Sequence, residues 1–192
     1  LYGVGNGGGV YTIDMHNAHA AVVNSLTVPL MGSSFGFDFN PVVDAIRIVS
    51  NADQNLRVNP DTGALISVDT PLAFTSTLLP NIVGSAYSNS FAGATSTILY
   101  GYDAVLSSFF IQSPPNAGTL IPGAGIDISV TPSALIGFDI SGSDTVFFST
   151  WSLLGTRLYT ADISHGAGQF LGTVGPLNNA GEGIIQLQGI AA

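Results

Sequence analysis

The segment Gly36-Phe37-Asp38-Phe39 returns in related form about every fifty residues along the chain. The aromatic or leucine markers of this repeat are separated by 50, 51 and 49 residues, and they are Phe37, Tyr87, Phe138 and Leu187. A repeat of this length is typical of one β-propeller blade, a four-stranded unit that must stack on its neighbours to bury its faces. The sequence therefore predicts an all-β, β-propeller-like fold.

Short runs rich in β-branched and aromatic residues fill each repeat, and Gly, Pro, Asn and Asp separate them. This pattern predicts about four blades of four strands in a single domain over residues 1–192. Three of the predicted blades are continuous in the chain, at about residues 35–70, 84–122 and 135–175. The fourth is predicted to combine residues 184–192 with residues 1–28.

The two ends of the chain are expected to share one sheet. The N-terminal strands lack a first strand, while Ile184–Ile190 has the pattern of a first strand with nothing after it. The residues predicted to make this closure are Leu1, Tyr2, Val4, Ile184, Ile185, Leu187 and Ile190. Closure within one chain leaves no open edge, whereas the same pairing between copies would build a polymer, and the sequence allows both.

Composition limits the class of protein. The 192 residues are 46% hydrophobic and 8% charged, with 3 Lys and Arg against 12 Asp and Glu and a formal net charge of -9. This composition favours a folded domain over disorder, and its negative charge disfavours nucleic-acid binding. No apolar run is long enough to insert into a membrane, and the absence of cysteine excludes disulfides. A surface of uncharged polar residues is common in secreted proteins, so we expect an extracellular or cell-surface location.

A second repeat places an aspartate three residues after a tyrosine. It occurs at Tyr11 and Asp14, and again at Tyr100 and Asp103 and at Tyr159 and Asp162. An aspartate at a strand end can accept hydrogen bonds from the N–H groups of the following turn. These aspartates are therefore predicted to be turn residues.

The chain resembles the bacterial family named "domain of unknown function 4394". The segments that carry the resemblance are Phe35–Pro41, Asp44-x-x-Arg47, Gln54–Ala64, Ala86-Tyr87-x-Asn89 and Pro114–Leu120. The resemblance covers nearly the whole chain and implies a secreted or cell-surface β-propeller-like domain with no established activity. Family members usually carry a further N-terminal blade, which would give a longer parent chain five blades.

Two motifs match enzyme fingerprints without their structural context. Gly3-x-Gly5-x-x-Gly8 fits a dinucleotide-binding loop, and Gly32-x-Ser34-x-Gly36 fits a nucleophile elbow. Both fingerprints require a helix after the loop, whereas a strand pattern follows each of them here. No catalytic residues are predicted.

Two clusters are weak candidates for metal binding. His16 and His19 have a spacing that can chelate zinc, but no further ligand is assured, so the favoured interpretation is that they are exposed turn residues. Asn51, Asp53 and Asn55 place oxygens at alternating positions, as in a calcium loop, but the glycine and the bidentate glutamate of such a loop are missing. No cofactor is expected, with calcium as the open alternative.

Arg47 and Arg57 are notable because cations are so scarce in this chain. Both fall inside predicted strands of one blade, where an unpaired charge would be costly. We predict structural ion pairs with a carboxylate such as Asp38, Asp44 or Asp61. Recognition of an anionic ligand is the alternative.

Three functions from different classes follow. The first is a non-enzymatic structural or interaction module that self-assembles as a filament or surface layer, or binds other surface proteins. The second is a propeller that binds a ligand such as a glycan through its central channel or loops, with Trp151 as a stacking platform. The third is a calcium-dependent hydrolase or lyase. They are ranked in this order, because a fold alone does not imply an activity.

Overall fold

The protein is an all-β, four-bladed β-propeller, as the repeat predicts. The computed structural model describes residues 1–125, 136–152 and 155–174. The helical content of these residues is one turn of 3-10 helix at Pro115–Ala117. None of the described residues forms a helix long and apolar enough to cross a membrane.

Blades I and II come from the first third of the chain, and in both the strands pair in chain order as antiparallel neighbours. Blade I contains β1 (Tyr2–Val4), β2 (Gly9–Ile13) and β3 (Ala20–Ser25). Blade II contains β4 (Phe35–Asn40), β5 (Ala45–Ser50), β6 (Asn55–Val58) and β7 (Leu65–Val68).

Blades III and IV follow, with strand orders β8-β12-β11-β10-β9 and β13-β14-β15-β16. Blade III contains β8 (Ala73–Phe74), β9 (Ile82–Tyr87), β10 (Leu99–Asp103), β11 (Ser108–Gln112) and β12 (Thr119–Gly125). Blade IV contains β13 (Ile136–Ile140), β14 (Val146–Ser152), β15 (Gly155–Ala161) and β16 (Gly168–Val174).

The hydrophobic core lies between neighbouring blades, because each sheet buries its faces against the next one. Between blades III and IV, the rings of Tyr102, Phe109, Phe138 and Phe148 pack edge to face or tilted, with centroids 4.7–6.4 Å apart. A second cluster joins blades I and II, and a third joins blades II and III. The innermost strand of blade III, β9, lies between the innermost strands β4 and β13.

Three aspartates at strand ends accept hydrogen bonds from the N–H groups of the turns that follow them. Asp103 accepts the N–H groups of two residues in its turn through Oδ1, at 2.9 and 2.8 Å. Asp14 and Asp162 each accept the N–H of the residue two positions later, both at 2.8 Å. The prediction that these aspartates are turn residues is confirmed.

Blade III departs from the strand pattern that the sequence suggests. The short strand β8 pairs in parallel with β12 and adds a fifth strand at the outer edge. The linker that leads into β8 is bonded on both sides, because Leu72 N–H donates to Asp53 of blade II and Thr70 N–H donates to Asn116 of blade III. This pairing depends on contacts between distant segments, which a local pattern of residues does not reveal.

The predicted closure of the propeller pairs residues from the two ends of the chain, and the structure describes only the first of these two segments. Leu1, Tyr2 and Val4 lie in and beside β1, which is the innermost strand of blade I among the described residues. The predicted partners Ile184, Ile185, Leu187 and Ile190 lie outside the described residues. The predicted closing strand therefore stays a prediction.

Candidate functional site

A cavity of about 590 Å³ lies where the inner strands of the four blades face one another. Its walls come from the start of the chain through β1 and from β4, β9 and β13. The segments that line it are residues 1–6, Leu30, residues 33–39, residues 83–85 and residues 136–139. Residues from every blade therefore line one cavity.

Asp38 lies in the wall that β4 forms. Its Oδ2 accepts a hydrogen bond from the backbone N–H of Tyr87 on β9 at 2.6 Å, and its Oδ1 accepts the N–H of Phe39 at 2.7 Å. The pKa of Asp38 is raised to about 7, chiefly because the group is buried; the N–H groups of Tyr87 and Phe39 lower the pKa, and the nearby charge of Asp139 raises it. This carboxyl group is thus able to exchange a proton near neutral pH.

Asp139 occupies the equivalent position of blade IV, because the sequence Gly-Phe-Asp occurs at residues 36–38 and again at residues 137–139. It is 8% exposed, and its Oδ1 accepts the backbone N–H of Ile140 at 2.8 Å. Asp38 makes the same bond to its own successor. The repeat of the fold therefore brings two carboxyl groups to one cavity.

Ser85 on β9 is also a residue of the cavity wall, but its hydroxyl oxygen is itself buried. The residue is 2% exposed, and no described residue makes a hydrogen bond to its Oγ. A buried hydroxyl without a partner has a free-energy cost unless a ligand or water satisfies it. Ser85 also packs tightly on β4, where a Cβ at Gly36 would lie 2.5 Å from the Cβ of Ser85.

The chemistry of the cavity wall favours some ligands and disfavours others. The residues named in the wall include Asp38 and Asp139 but no Lys, Arg or His side chain. Leu1 also belongs to the wall, and its backbone nitrogen donates to the carbonyl of Ile13 at 3.3 Å. Such a surface suits a cation or a ligand rich in hydroxyl groups, and it repels anions.

Arg47 and Arg57 both meet a carboxylate, but it is Asp69 rather than Asp38, Asp44 or Asp61. Arg47 Nη1 lies 2.7 Å from Oδ2 of Asp69, and Arg57 contacts both carboxylate oxygens at 2.7 and 2.9 Å. Among the described residues, no ion pair joins either arginine to the three predicted carboxylates. The named partners are thus corrected, because Asp69 follows β7 directly and lies beside both strands.

Arg47 is the centre of a buried polar network between blades II and III. The residue is 2% exposed, and its guanidinium also donates to Asn55 and Asn116 at 2.7 Å each and to the Tyr87 hydroxyl at 3.4 Å. Burial alone would raise the pKa of Asp69, but hydrogen bonds from Arg57, Ser67 and Arg47 hold it below its ordinary value. With its donors engaged by protein groups, Arg47 holds the two blades together.

The histidine candidates for zinc lie on the exposed turn between β2 and β3. His16 Nδ1 is 3.2 Å from Oδ1 of Asp14, with its own side chain almost fully exposed, and His19 is exposed as well. In the neighbouring blade, His165 makes a similar pair with Asp162 at 2.7 Å. Each of these histidines lies on a solvated turn.

The three side chains of the candidate calcium loop, Asn51, Asp53 and Asn55, have different surroundings. Asn55 is part of the Arg47 network, while Asn51 Oδ1 accepts the N–H groups of Ser33 and Ser34. Asp53 has a buried Oδ1 to which no described residue makes a hydrogen bond. Within the described ranges, no group of three or more His, Cys, Asp or Glu side chains is placed to hold a metal ion.

Trp151 lies on a strand of blade IV, and the two enzyme-like motifs lie at strands of blades I and II. Trp151 is half-buried on β14, and its Nε1 is enclosed. The glycines at 3, 5 and 8 belong to the β1–β2 hairpin, and Gly32-x-Ser34-x-Gly36 leads into β4. A strand therefore follows each motif.

Sequence reasoning missed Ser85, Asp139 and Asp69 as site or network residues. The signal for Asp139 was present, because the Gly-Phe-Asp repeat places two carboxyl groups on innermost strands of two blades. Ser85 has no such signal, since its importance depends on which groups surround it.

Comparison with known proteins gives one match and one negative result. The model of a family described as a domain of unknown function (DUF4394) matches residues 1–190. A search of curated proteins found no match. The family match covers nearly all of the chain, in agreement with the resemblance seen in its repeated segments, and the chain therefore belongs to the DUF4394 family.

Proposed function

We propose that this protein is a non-enzymatic structural or interaction module that works outside the cell and assembles with other copies by pairing strands. One observation carries the proposal: the sheet of blade I has three strands among the described residues, whereas the sheets of the other blades have four or five. Its innermost strand, β1, borders the central cavity. An open strand edge presents N–H and C=O groups that favour pairing with another strand.

The proposed occupant of this edge is the segment Ile184–Ile190 of a second copy. Its sequence alternates apolar and polar residues at Ile185, Gln186, Leu187 and Gln188, as in a half-buried strand. The surface is compatible with association, since Val22, Ile66, Val68 and Phe170 are exposed on outer strands. A net charge of -9 opposes close packing of copies, so salt should promote assembly.

Cysteine cross-linking tests the proposal cleanly because the chain contains no native cysteine. A Val4→Cys variant is mixed with a Leu187→Cys variant and oxidised, and the product is analysed by non-reducing electrophoresis and by light scattering. Exchange between copies predicts a cross-linked dimer in the mixture and larger assemblies at high concentration. Asp61→Cys, on an exposed turn, replaces Val4→Cys in the control mixture.

The double variant Val4→Cys/Leu187→Cys separates the two ways of completing blade I. If it forms only a cross-link within one chain, and the wild-type protein stays monomeric at every salt concentration, the strand comes from the same molecule. That result would overturn the proposal of assembly.

Ligand binding in the central cavity is a second candidate function. The observation that favours it is a cavity of about 590 Å³ whose named wall residues include Asp38 and Asp139 and no Lys, Arg or His. Thermal denaturation of the wild-type protein with neutral oligosaccharides tests the glycan version. An Asp139→Asn variant, which removes one carboxylate of the wall, should lose stabilisation that depends on this group.

A further inference from the structure

The loop between β8 and β9 is exposed along its middle and fixed at both ends. Residues 75–79 are all exposed, and Leu79 reaches 84%. On one side of them the ring of Phe74 packs against that of Phe110, with centroids 4.7 Å apart, and on the other side Pro80 is buried. The five exposed residues therefore lie between two anchored positions.

The backbone of this loop is held by few hydrogen bonds. Among the described residues, the bond made by a backbone group of residues 75–79 is that from the N–H of Leu78 to Oγ of Ser76, at the long distance of 3.4 Å. The preceding strand, β8, contains two residues and pairs with β12 over two positions. A protease binds its substrate as an extended segment, so a loop that can straighten with the loss of few bonds is a favourable substrate.

Leu78 offers a side chain that a protease can select. It is 58% exposed, and it is followed by Leu79 and then by Pro80. Proteases with a hydrophobic specificity pocket cut after a large apolar residue. Because proline has no backbone N–H and a fixed φ, the bond from Leu79 to Pro80 is a poor substrate. The susceptible bond is therefore the one between Leu78 and Leu79.

The parts of the chain on either side of this bond are interlocked across blades II and III. The strand β8 precedes the bond, yet it pairs with β12, which follows it. Arg47 donates to Asn116 at 2.7 Å, and Asp38 accepts the N–H of Tyr87 at 2.6 Å. The buried apolar cluster between these blades also contains side chains from both parts. A break in the loop leaves all of these contacts in place.

We propose that the Leu78–Leu79 bond is a processing site for an endoprotease that selects large apolar residues, and that the cleaved protein remains one propeller made of two pieces. The protease adds water across this peptide bond, which leaves a carboxylate on Leu78 and an amine on Leu79. Residues 1–78 then carry blades I and II together with β8, and residues 79–192 carry the other strands of blades III and IV. One piece thus supplies a strand to a sheet of the other.

Limited digestion of the native full-length protein with chymotrypsin, followed by mass spectrometry, tests the cleavage site. The first cut within the described residues should fall after Leu78 and release a piece of residues 1–78. Leu78→Ser should slow this cut by about tenfold or more, because the specificity pocket loses its apolar contact. Leu106→Ser is the matched control and should be cut as fast as the wild type. Leu106 is 40% exposed, but its N–H donates to Asp103 at 2.8 Å in a short turn.

Size-exclusion chromatography with light scattering tests whether the cleaved protein holds together. In native buffer the two pieces should elute together, at the mass of the uncleaved protein. In concentrated urea they should separate, because the contacts between them are not covalent.

Three results would overturn the proposal. A first cut at another bond of the described residues, or equal rates for the wild type and Leu78→Ser, would show that this bond is not the preferred one. Separation of the pieces in native buffer would show that the contacts across blades II and III do not hold them. The wild-type protein supplies the cleavage position and the mass, so neither result depends on the folding of a variant.

Discussion

The carboxyl group of Asp38 on β4 accepts the backbone N–H of Tyr87 on β9 at 2.6 Å, so a side chain of one blade satisfies the inner edge of the next. Tyr87 in turn accepts a hydrogen bond from Arg47 through its hydroxyl, at 3.4 Å. The same residue therefore links the cavity wall to the buried arginine network.

The protein should become less stable as the pH rises from about 4 to about 7 because of Asp38. Its pKa is raised from 3.8 to about 7 in the folded chain. Between these values the folded chain keeps a proton that the unfolded chain has released, so the free energy of unfolding falls as the pH increases. Above the folded-state pKa this contribution is constant. Chemical denaturation at a series of pH values, without divalent cations, measures the slope.

The variant Asp38→Asn isolates this contribution. It cannot titrate, so the part of the slope that Asp38 supplies should disappear, although the amide loses one of the two bonds to backbone N–H groups and lowers stability at every pH. Asp61→Asn is the control and should keep the wild-type slope. Equal slopes in the wild type and in Asp38→Asn would contradict the assignment.

Replacement of Ser85 by alanine should leave stability unchanged or raise it by up to about 1 kcal/mol, because its buried hydroxyl has no partner. Ser149 is a matched control, since it is equally buried but its Oγ accepts the N–H of Gly137 at 3.0 Å. Ser149→Ala should therefore cost about 1 kcal/mol. Denaturant titration of both variants without divalent cations gives the comparison, and a larger loss in Ser85→Ala would show that this hydroxyl is satisfied.

Removal of the charge on Asp69 should be among the most damaging single changes. Asp69→Asn leaves Arg47, which is 2% exposed, without a carboxylate, and breaking a buried ion pair in this way costs about 3–5 kcal/mol. Because the pKa of Asp69 is lowered, its contribution is present at neutral pH and is lost as the pH falls below the unfolded-state value. Thermal unfolding at neutral pH checks the effect. A loss no larger than that of Asp44→Asn, on an exposed turn, would contradict it.

Alanine at position 36 should destabilise the contact between blades II and III. A Cβ there would lie 2.5 Å from both the Cβ and the backbone N of Ser85, so the two strands must move apart at a cost of about 1–3 kcal/mol. Gly172 on β16 is the control, because an added Cβ meets nothing within 4 Å. Urea denaturation should show that Gly36→Ala is less stable than Gly172→Ala. Equal stability of the two variants would show that β4 and β9 can move apart at little cost in free energy.

The repeat made the fold predictable, because the Phe37, Tyr87 and Phe138 markers fall on the innermost strands β4, β9 and β13. Local turn chemistry was also readable, since Asp103 follows simple rules for hydrogen bonding at strand ends. Contacts that depend on the packing of distant segments could not be predicted from the sequence. Arg47 and Asn116 meet although they are 69 positions apart, which no spacing rule anticipates.

The partners of Asp38, in the cavity wall, were also not predictable from the sequence. Asp38 was predicted to form an ion pair with an arginine. In the structure it is the cross-strand neighbour of Arg47 in the β4–β5 pair. The guanidinium instead extends toward Asp69 and Asn116, and the carboxyl group accepts the N–H of Tyr87 on β9. Cross-strand proximity fixes which residues are neighbours, but the direction of two long side chains depends on the third strand and on the adjacent blade.

The linker that ends in β8 has a mechanical consequence. It is held to blade II through Asp53 and to blade III through Asn116 and the parallel pairing with β12. A pulling force applied to this part of the chain is therefore shared by bonds to both sheets, so neither sheet is free to peel away first. In a single-molecule extension experiment these two blades should rupture together, in one step, as the stiffest unit of the propeller.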